Sequence, residues 1–377
     1  MTDSRNWFKP VPSSRRRSLL CSRRQGMFIE VDGKQVLNFA SNDYLGLATN
    51  PAVMQAACDT IANHGLGSGA SRLISGDDPL IHQLESALAK WKGFESCLLL
   101  GSGMLANLGL LQAIADRQTH IFADRLNHAS LVDGVRLSGA QGHRFNHLDM
   151  MQLETVLKKH PAERRVIVSD GVFSMDGDMA DINRLMKLSE ISDALLIIDD
   201  AHGIGCVGPE GRGLTAMAGI NGDARLLEVG TLGKAFGSYG AFVLGTSEMI
   251  EGLRQRMRTL IYSTALPAAL PAAALAALKL IQQGDLVKQL RGNLELFQKL
   301  TSGLPLMPSQ TPIQPLLVGK DADAVAMSGQ LRELGFFVPA IRPPTVPEGT
   351  ARLRITLSAS HSHEQIAQLA DALEITA

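Results

Sequence analysis

Paired cysteines are missing from this chain. Its four cysteines, Cys21, Cys58, Cys97 and Cys206, are scattered over 377 residues with no Cys-x-x-Cys spacing, which argues against a cysteine zinc site and a disulfide framework and fits a reducing, cytoplasmic setting. An excess of one charge is missing too. The 36 Lys plus Arg nearly cancel the 37 Asp plus Glu, so no overall field recruits nucleic acid or an anionic membrane. The most membrane-like run, Leu266 to Leu278, contains Pro267 and Pro271 and falls short of the roughly 20 residues a span needs. Leu19-Leu20-Cys21 is too short an apolar patch for a secretory signal, and there is no internal repeat or low-complexity tract. A soluble protein with no nucleic-acid or membrane partner is expected. The local clusters Arg15-Arg16-Arg17 and Arg23-Arg24 read equally as a solvated face or as an anion-binding patch.

What is present is an alternation of strands and helices long enough for two or three domains. Phe28 to Phe39 reads as a hairpin turning at Asp32-Gly33. Helices are expected over Pro51 to His64, with Asn50 as cap and Pro51 in the first turn, and over Pro79 to Lys92, capped by Asp77 or Asp78. From Cys97 onward, short apolar runs recur at Cys97 to Leu100, His120 to Ala123, Arg165 to Ser169, Ala194 to Ile198, Leu226 to Val229 and Ala241 to Leu244. Near-continuous apolar strands imply a sheet buried on both faces. Their alternation with helices such as Asp149 to Lys159 and Asp181 to Ile191 implies a mostly parallel α/β architecture, with ligands beyond the strand ends. A long helical stretch around Ser247 to Gln283 ends at Gly284-Asp285. The remainder, with a helix near Ala322 to Leu334, the apolar Phe336-Phe337-Val338, a proline-rich 342–347 and the alternating Ala351 to Leu357, reads as a smaller α+β unit.

The chemistry centres on Lys234, in the glycine-rich stretch Glu228 to Gly240 behind the apolar run Leu226 to Val229. Desolvation there lowers a lysine from its ordinary pKa of about 10.4, and a neutral amine is a nucleophile and a base. The run Ala194 to Ile198 delivers Asp199-Asp200-Ala201-His202-Gly203 at another strand end. A buried carboxylate needs a cationic partner, and a protonated pyridine nitrogen would serve. Strand alternation assigns that role to Asp199 and turns Asp200 away. Together these residues point to a carbonyl cofactor held as a Schiff base. Gly101-Ser102-Gly103-Met104, between a strand and a helix, reads either as a phosphate cradle or as a tight turn. On the residues alone, His128 and Ser174 are compatible with cofactor contact or with purely structural roles.

Other motifs fail. Asp199 and His202 can both ligate a metal, but no further His or carboxylate pair is spaced to complete such a site, so no catalytic metal is expected. Gly230 to Lys234 lacks the Ser or Thr and the glycine spacing of a nucleotide P-loop. Gly65 to Gly69 follows a helix, not the strand that a dinucleotide fingerprint requires.

Ser41-Asn42-Asp43-Tyr44-Leu45-Gly46, Gly67-Ser68-Gly69 through Arg72 to Gly76, Asp124 to Ser130, Asp170 to Asp178, Asp199 to Gly203 and Thr231 to Gly237 together resemble the α-oxoamine synthases, over nearly the whole chain. The resemblance implies the pyridoxal-phosphate-dependent transferase fold type I (aspartate aminotransferase-like). Its parts would be an N-terminal segment (1–46), a large cofactor-binding domain with a mostly parallel sheet (47–283) and a smaller α+β C-terminal domain (284–377). It implies pyridoxal 5'-phosphate as cofactor, with Lys234 as Schiff-base lysine, Asp199 at the pyridine nitrogen, His128 stacked on the ring, and Ser174 and His202 near the phenolic oxygen. Gly103 and Met104 would contact the cofactor through their backbone, and Thr231 would meet the phosphate. Lys234, His128 and Asp199 are the catalytic set. Arg354 would grip the amino-acid carboxylate, with Thr345 and Arg15 also facing substrate.

The tail from Ala340 to Leu357 is most similar to the biotin-pathway branch. That implies decarboxylative condensation of L-alanine with a pimeloyl thioester, on acyl carrier protein or coenzyme A. Branches that use glycine with acetyl or succinyl thioesters remain the alternatives, and a cofactor-binding regulator without turnover is the alternative of another class. The family builds its site across a homodimer interface, with residues like Ser263 and Thr264 reaching the partner's phosphate. Met104 and Asp170 depart from the family, which often has an aromatic residue and a glutamate there.

Overall fold

The computed structural model describes residues 19–376. Its strands are β1 (Cys21–Gln25), β2 (Phe28–Val31), β3 (Lys34–Asn38), β4 (Ser96–Leu100), β5 (Thr119–Asp124), β6 (Gln141–Phe145), β7 (Arg164–Asp170), β8 (Ala194–Asp199), β9 (Leu226–Thr231), β10 (Ala241–Gly245), β11 (Ile313–Gly319), β12 (Phe336–Phe337), β13 (Ala340–Ile341) and β14 (Ala351–Thr356). The helices are α1 (Pro51–His64), α2 (Pro79–Lys92), α3 (Gly103–Ile114), α4 (Ala129–Ser138), α5 (Met150–Lys159), α6 (Ile182–Ser192), α7 (Gly213–Ala218), α8 (Ser247–Arg256), α9 (Arg258–Ile261), α10 (Ala269–Gln283), α11 (Asp285–Leu300), α12 (Asp321–Glu333) and α13 (His363–Thr376).

The main sheet has seven strands in the order β4-β10-β9-β8-β7-β5-β6. Its pairings are parallel except at β10, which runs antiparallel to both neighbours. Alternate residues feed two separate cores. Cys97, Leu99, Ile198 and Phe242 join one, while Leu98, Leu100, Ile197 and Val243 join the other, with α3, α8 and α9. This double burial is why the strands read as unbroken apolar runs. Edge strand β6, Gln-Gly-His-Arg-Phe, is largely exposed and carries no such signal.

The hairpin forms at its expected turn, with Asp32 and Gly33 both at positive φ. It is extended by β1 and joined in parallel by β12, so the start of the chain shares a sheet with residues beyond 330. The caps of α1 and α2 are Asn50, which accepts from Ala52 N–H, and Asp78, which accepts from Leu80 N–H. The expected single stretch from 247 to 283 is instead three helices. The first ends at Met257, whose buried side chain enters the second core, and residues 262–268 cross to α10 without helix. Gly284, at φ 83°, separates α10 from α11. The strands β11, β14 and β13 form an antiparallel sheet.

Candidate active site

Five carboxyl-terminal strand ends of the main sheet converge. Beyond β4 lies the first turn of α3, beyond β5 lies His128 as N-cap of α4, β7 and β8 end in Asp170 and Asp199, and β9 ends in Thr231 shortly before Lys234. A cavity of about 180 Å³ at this edge is lined by Gly103, Met104, His128, Ser174, Asp199, His202, Thr231 and Lys234, together with Asn107, Ser130, Asp170, Val172 and Ala201. Every residue expected to contact the chain's own cofactor is in that wall.

The loop carrying Lys234 turns back sharply. Gly237 donates its N–H to the Lys234 carbonyl at 2.9 Å. It has φ 63°, and a Cβ there would lie 2.2 Å from the Ala48 nitrogen, so only glycine fits. Burial pulls the Lys234 amine down to about 8, against the opposing pull of Asp199 and Asp170, and the Arg354 charge adds to the lowering.

Asp199 accepts from Asn107 Nδ2 at 2.6 Å and from Ala201 N–H at 3.1 Å. Asn107 also donates to Ser130 Oγ at 2.8 Å, and Ser130 Oγ lies 2.7 Å from His128 Nδ1. A continuous hydrogen-bonded chain therefore links the carboxylate to the imidazole. The His128 N–H donates to Asp170 Oδ2 at 3.0 Å. Burial pushes Asp170 well above the carboxylate range, and its neighbour across the sheet, Asp199, pushes the same way. Asp200 is turned out of the cavity, where it accepts the Leu214 N–H at 2.7 Å.

His202 Nδ1 lies 2.6 Å from the buried Tyr44 hydroxyl. Burial, then the charges of Lys234 and Arg354, hold His202 well below its ordinary pKa, and burial raises Tyr44. Arg354 stands behind the cavity wall. Its Nε donates to the Ser174 carbonyl at 2.6 Å, Nη1 to Thr356 Oγ1 at 3.1 Å and Nη2 to Asn42 Oδ1 at 3.1 Å. The buried Tyr44 hydroxyl also bonds to this guanidinium. Thr345 is exposed in the loop between β13 and β14 and does not line the cavity. Arg15 lies outside the described residues. Ser263 and Thr264 line a separate cleft with Arg72 and Gly101.

The donor set fits pyridoxal 5'-phosphate. Asn107 Oδ1 and Asp170 Oδ1 are buried in the wall without a hydrogen-bond partner, so the cavity has acceptors for a ligand that brings N–H or O–H groups. Opposite the carboxylates, Gly103 and Met104 begin a helix of 12 residues capped by Ser102, whose free N–H groups suit a phosphate. Asn107, Ser130 and Tyr44 had no assigned roles from the sequence. A lone asparagine in the otherwise apolar first turns of α3 was the available signal for the first of them.

The family description "Aminotransferase class I and II" matches residues 34–373. An 8-amino-7-oxononanoate synthase of Saccharophagus degradans is 47% identical over 355 residues, covering 92% of this chain and 88% of that protein. Among solved structures, serine palmitoyltransferase of S. paucimobilis with PLP and myriocin bound superposes with a TM-score of 0.91 at 25% identity, over 95% of this chain and 92% of that one. The 8-amino-7-oxononanoate synthase of Francisella tularensis superposes with a TM-score of 0.79 at 30% identity, over 90% of this chain and 97% of that one.

Proposed function

Since the chain belongs to the class I and II aminotransferase family and is a pyridoxal-phosphate enzyme, we propose that it condenses L-alanine with a pimeloyl thioester to give 8-amino-7-oxononanoate, carbon dioxide and free thiol, in biotin biosynthesis. One observation carries this reading. A lysine whose amine is brought near neutrality shares a cavity with a buried carboxylate and a capping histidine, and the relatives at nearly half identity bear that enzyme's name.

Lys234 would hold the cofactor covalently, Asp199 would face its ring nitrogen, and His128 would lie against the ring. Gly103, Met104 and Thr231 would hold the phosphate, and Ser174 and His202 the phenolic edge. When bound, the cofactor supplies an electron sink for negative charge at the amino acid's α-carbon. The remaining work falls to side chains. Lys234 would take the α-proton, a positioned base contributing about 100- to 10,000-fold. Asp199, held by the Asn107 and Ala201 donors, would be the partner of the ring nitrogen. Arg354 would turn toward the alanine carboxylate, and His202, neutral and fixed by Tyr44, would offer a hydrogen bond without adding charge.

Arg15 and Thr345 are kept as acyl-side contacts. A cytoplasmic homodimer is part of the proposal. It is supported by exposed Leu66, Leu73, Ile74 and Tyr262 in the segments that contain Arg72 and Ser263, and by the absence, among the described residues, of any helix long and apolar enough to cross a membrane. A turnover screen of alanine and glycine against pimeloyl, acetyl and succinyl thioesters tests the substrate assignment. Alanine with the pimeloyl thioester is expected to turn over fastest, and a glycine-only enzyme would refute it.

A further inference from the structure

Three imidazoles meet toward the amino ends of the parallel strands, away from the cavity. His120 stands on β5, His143 on the adjoining edge strand β6, and His160 is the C-cap of α5. His143 Nε2 and His120 Nδ1 are 3.1 Å apart, and one nitrogen from each ring lies within 4.8 Å of the other two. The His143 ring is sandwiched between Phe122, with centroids 5.1 Å apart, and His160, with centroids 4.0 Å apart. All three histidines are half-buried.

Three histidines elsewhere in the fold pair with acids: His64 with Asp78, His82 with Asp77, and His147 with Asp124 and Asp178. Among the described residues, the ring contacts of the trio are with one another and with Phe122, and none forms an ion pair with a carboxylate. Where His120 and His143 meet, one nitrogen must present a lone pair to the other's N–H. Converging neutral imidazoles select borderline dications over magnesium or calcium.

The geometry is close to what such an ion needs. With metal to nitrogen distances of about 2.0–2.1 Å, tetrahedral ligands stand about 3.3 Å from each other, near the separation His120 and His143 already have. Phe122 holds the His143 ring from one side, and binding requires His160 to tilt off that ring and His120 to turn inward. The carboxyl end of α5, which His160 caps, adds a partial negative charge that favours a cation.

We propose that His120, His143 and His160 bind one divalent transition-metal ion of the zinc, nickel or copper type, with a fourth position open to water. The ring that donates in the His120–His143 contact changes tautomer, its proton moving to its other nitrogen, so that both facing lone pairs bind the ion, which ties edge strand β6 to β5 and α5. The residues lie 17 or more positions apart in the sequence, which is why no metal-ligand spacing marks them.

The test is calorimetric titration of chelator-stripped holoenzyme with zinc chloride. It is run beside His143→Ala, His160→Gln and a Cys21→Ser/Cys58→Ser double variant, because those two cysteines are exposed and are the competing ligands. The proposal expects one zinc per chain, unchanged in the cysteine variant and weakened by at least about tenfold in each histidine variant. It also expects zinc to raise the Tm of the wild type but not of His160→Gln, since an ion that binds only the folded chain stabilises it. Condensation activity in His160→Gln shows that the variant is folded. No saturable binding by the wild type, an unchanged isotherm in both histidine variants, or loss of binding in the cysteine variant would overturn the assignment.

Discussion

Asn107 Nδ2 donates to Asp199 Oδ2 across 2.6 Å, inside a wall where Asp199 is nearly covered. A neutral donor orients a buried carboxylate while leaving its charge for a cationic partner. Replacing Asn107 with Ala removes that donor and the link to Ser130 and His128. Hydrogen bonds to charged groups contribute about 1.5–3 kcal/mol, so the dissociation constant for pyridoxal phosphate should rise by roughly 10- to 100-fold. Reconstitution of the apoenzyme, followed by absorbance, measures it. Wild-type affinity in Asn107→Ala would remove the residue from the account.

Asn107 also shows where the sequence stopped being readable. Double burial made six of the seven strands of the main sheet visible as apolar runs, and capping chemistry marked α1 and α2 to the residue. The polar edge strand β6 lacks that pattern, and the break at Met257 is made by tertiary packing of an apolar side chain within a helical period. Lys234, Asp199, His202 and Gly103 were legible because each sits directly after a strand in an unusual local sequence. Asn107, Ser130 and Tyr44 reach the site from a helix interior, a helix start and a distant loop, positions whose convergence only the fold supplies.

Arg354 has three of its donors held by Ser174, Thr356 and Asn42, which fixes the plane of its guanidinium before a substrate arrives. Arg354→Ala should raise the KM for alanine by about 10- to 100-fold, the scale of a lost charged hydrogen bond, while the KM for the thioester changes little. Initial rates at varied alanine give the answer, and an unchanged alanine KM would refute carboxylate binding.

Lys92 and Glu228 form an ion pair at 2.6 Å with both side chains fully buried. Thr215 donates to the same carboxylate at 2.6 Å, and Lys92 also donates to the Arg212 carbonyl. Lys92→Met leaves Glu228 buried without its cation, and breaking such a pair costs about 3–5 kcal/mol. The denaturant midpoint should fall accordingly. Lys92→Met combined with Glu228→Gln should recover part of the loss, and a single variant as stable as wild type would contradict the buried pair.

His147 bridges Asp124 and Asp178. Burial alone would lower it, but hydrogen bonds and charge from the two acids outweigh that and raise it to about 10. A folded-state pKa above the unfolded value of about 6.5 stabilises the fold fully below that unfolded value, and the contribution is lost as pH rises toward 10. Wild-type Tm should therefore drop more between pH 7 and pH 10 than that of His147→Gln. Parallel Tm profiles for the two proteins would exclude the bridge.

In the proposed reaction Lys234 moves the α-proton of alanine. Holding wild type and Lys234→Ala with alanine in deuterium oxide, and following loss of the α-proton signal by NMR, tests this without the thioester or the product. Rapid exchange is expected in the wild type, and a loss of about 100- to 10,000-fold in the variant. Exchange at the wild-type rate in Lys234→Ala would contradict it.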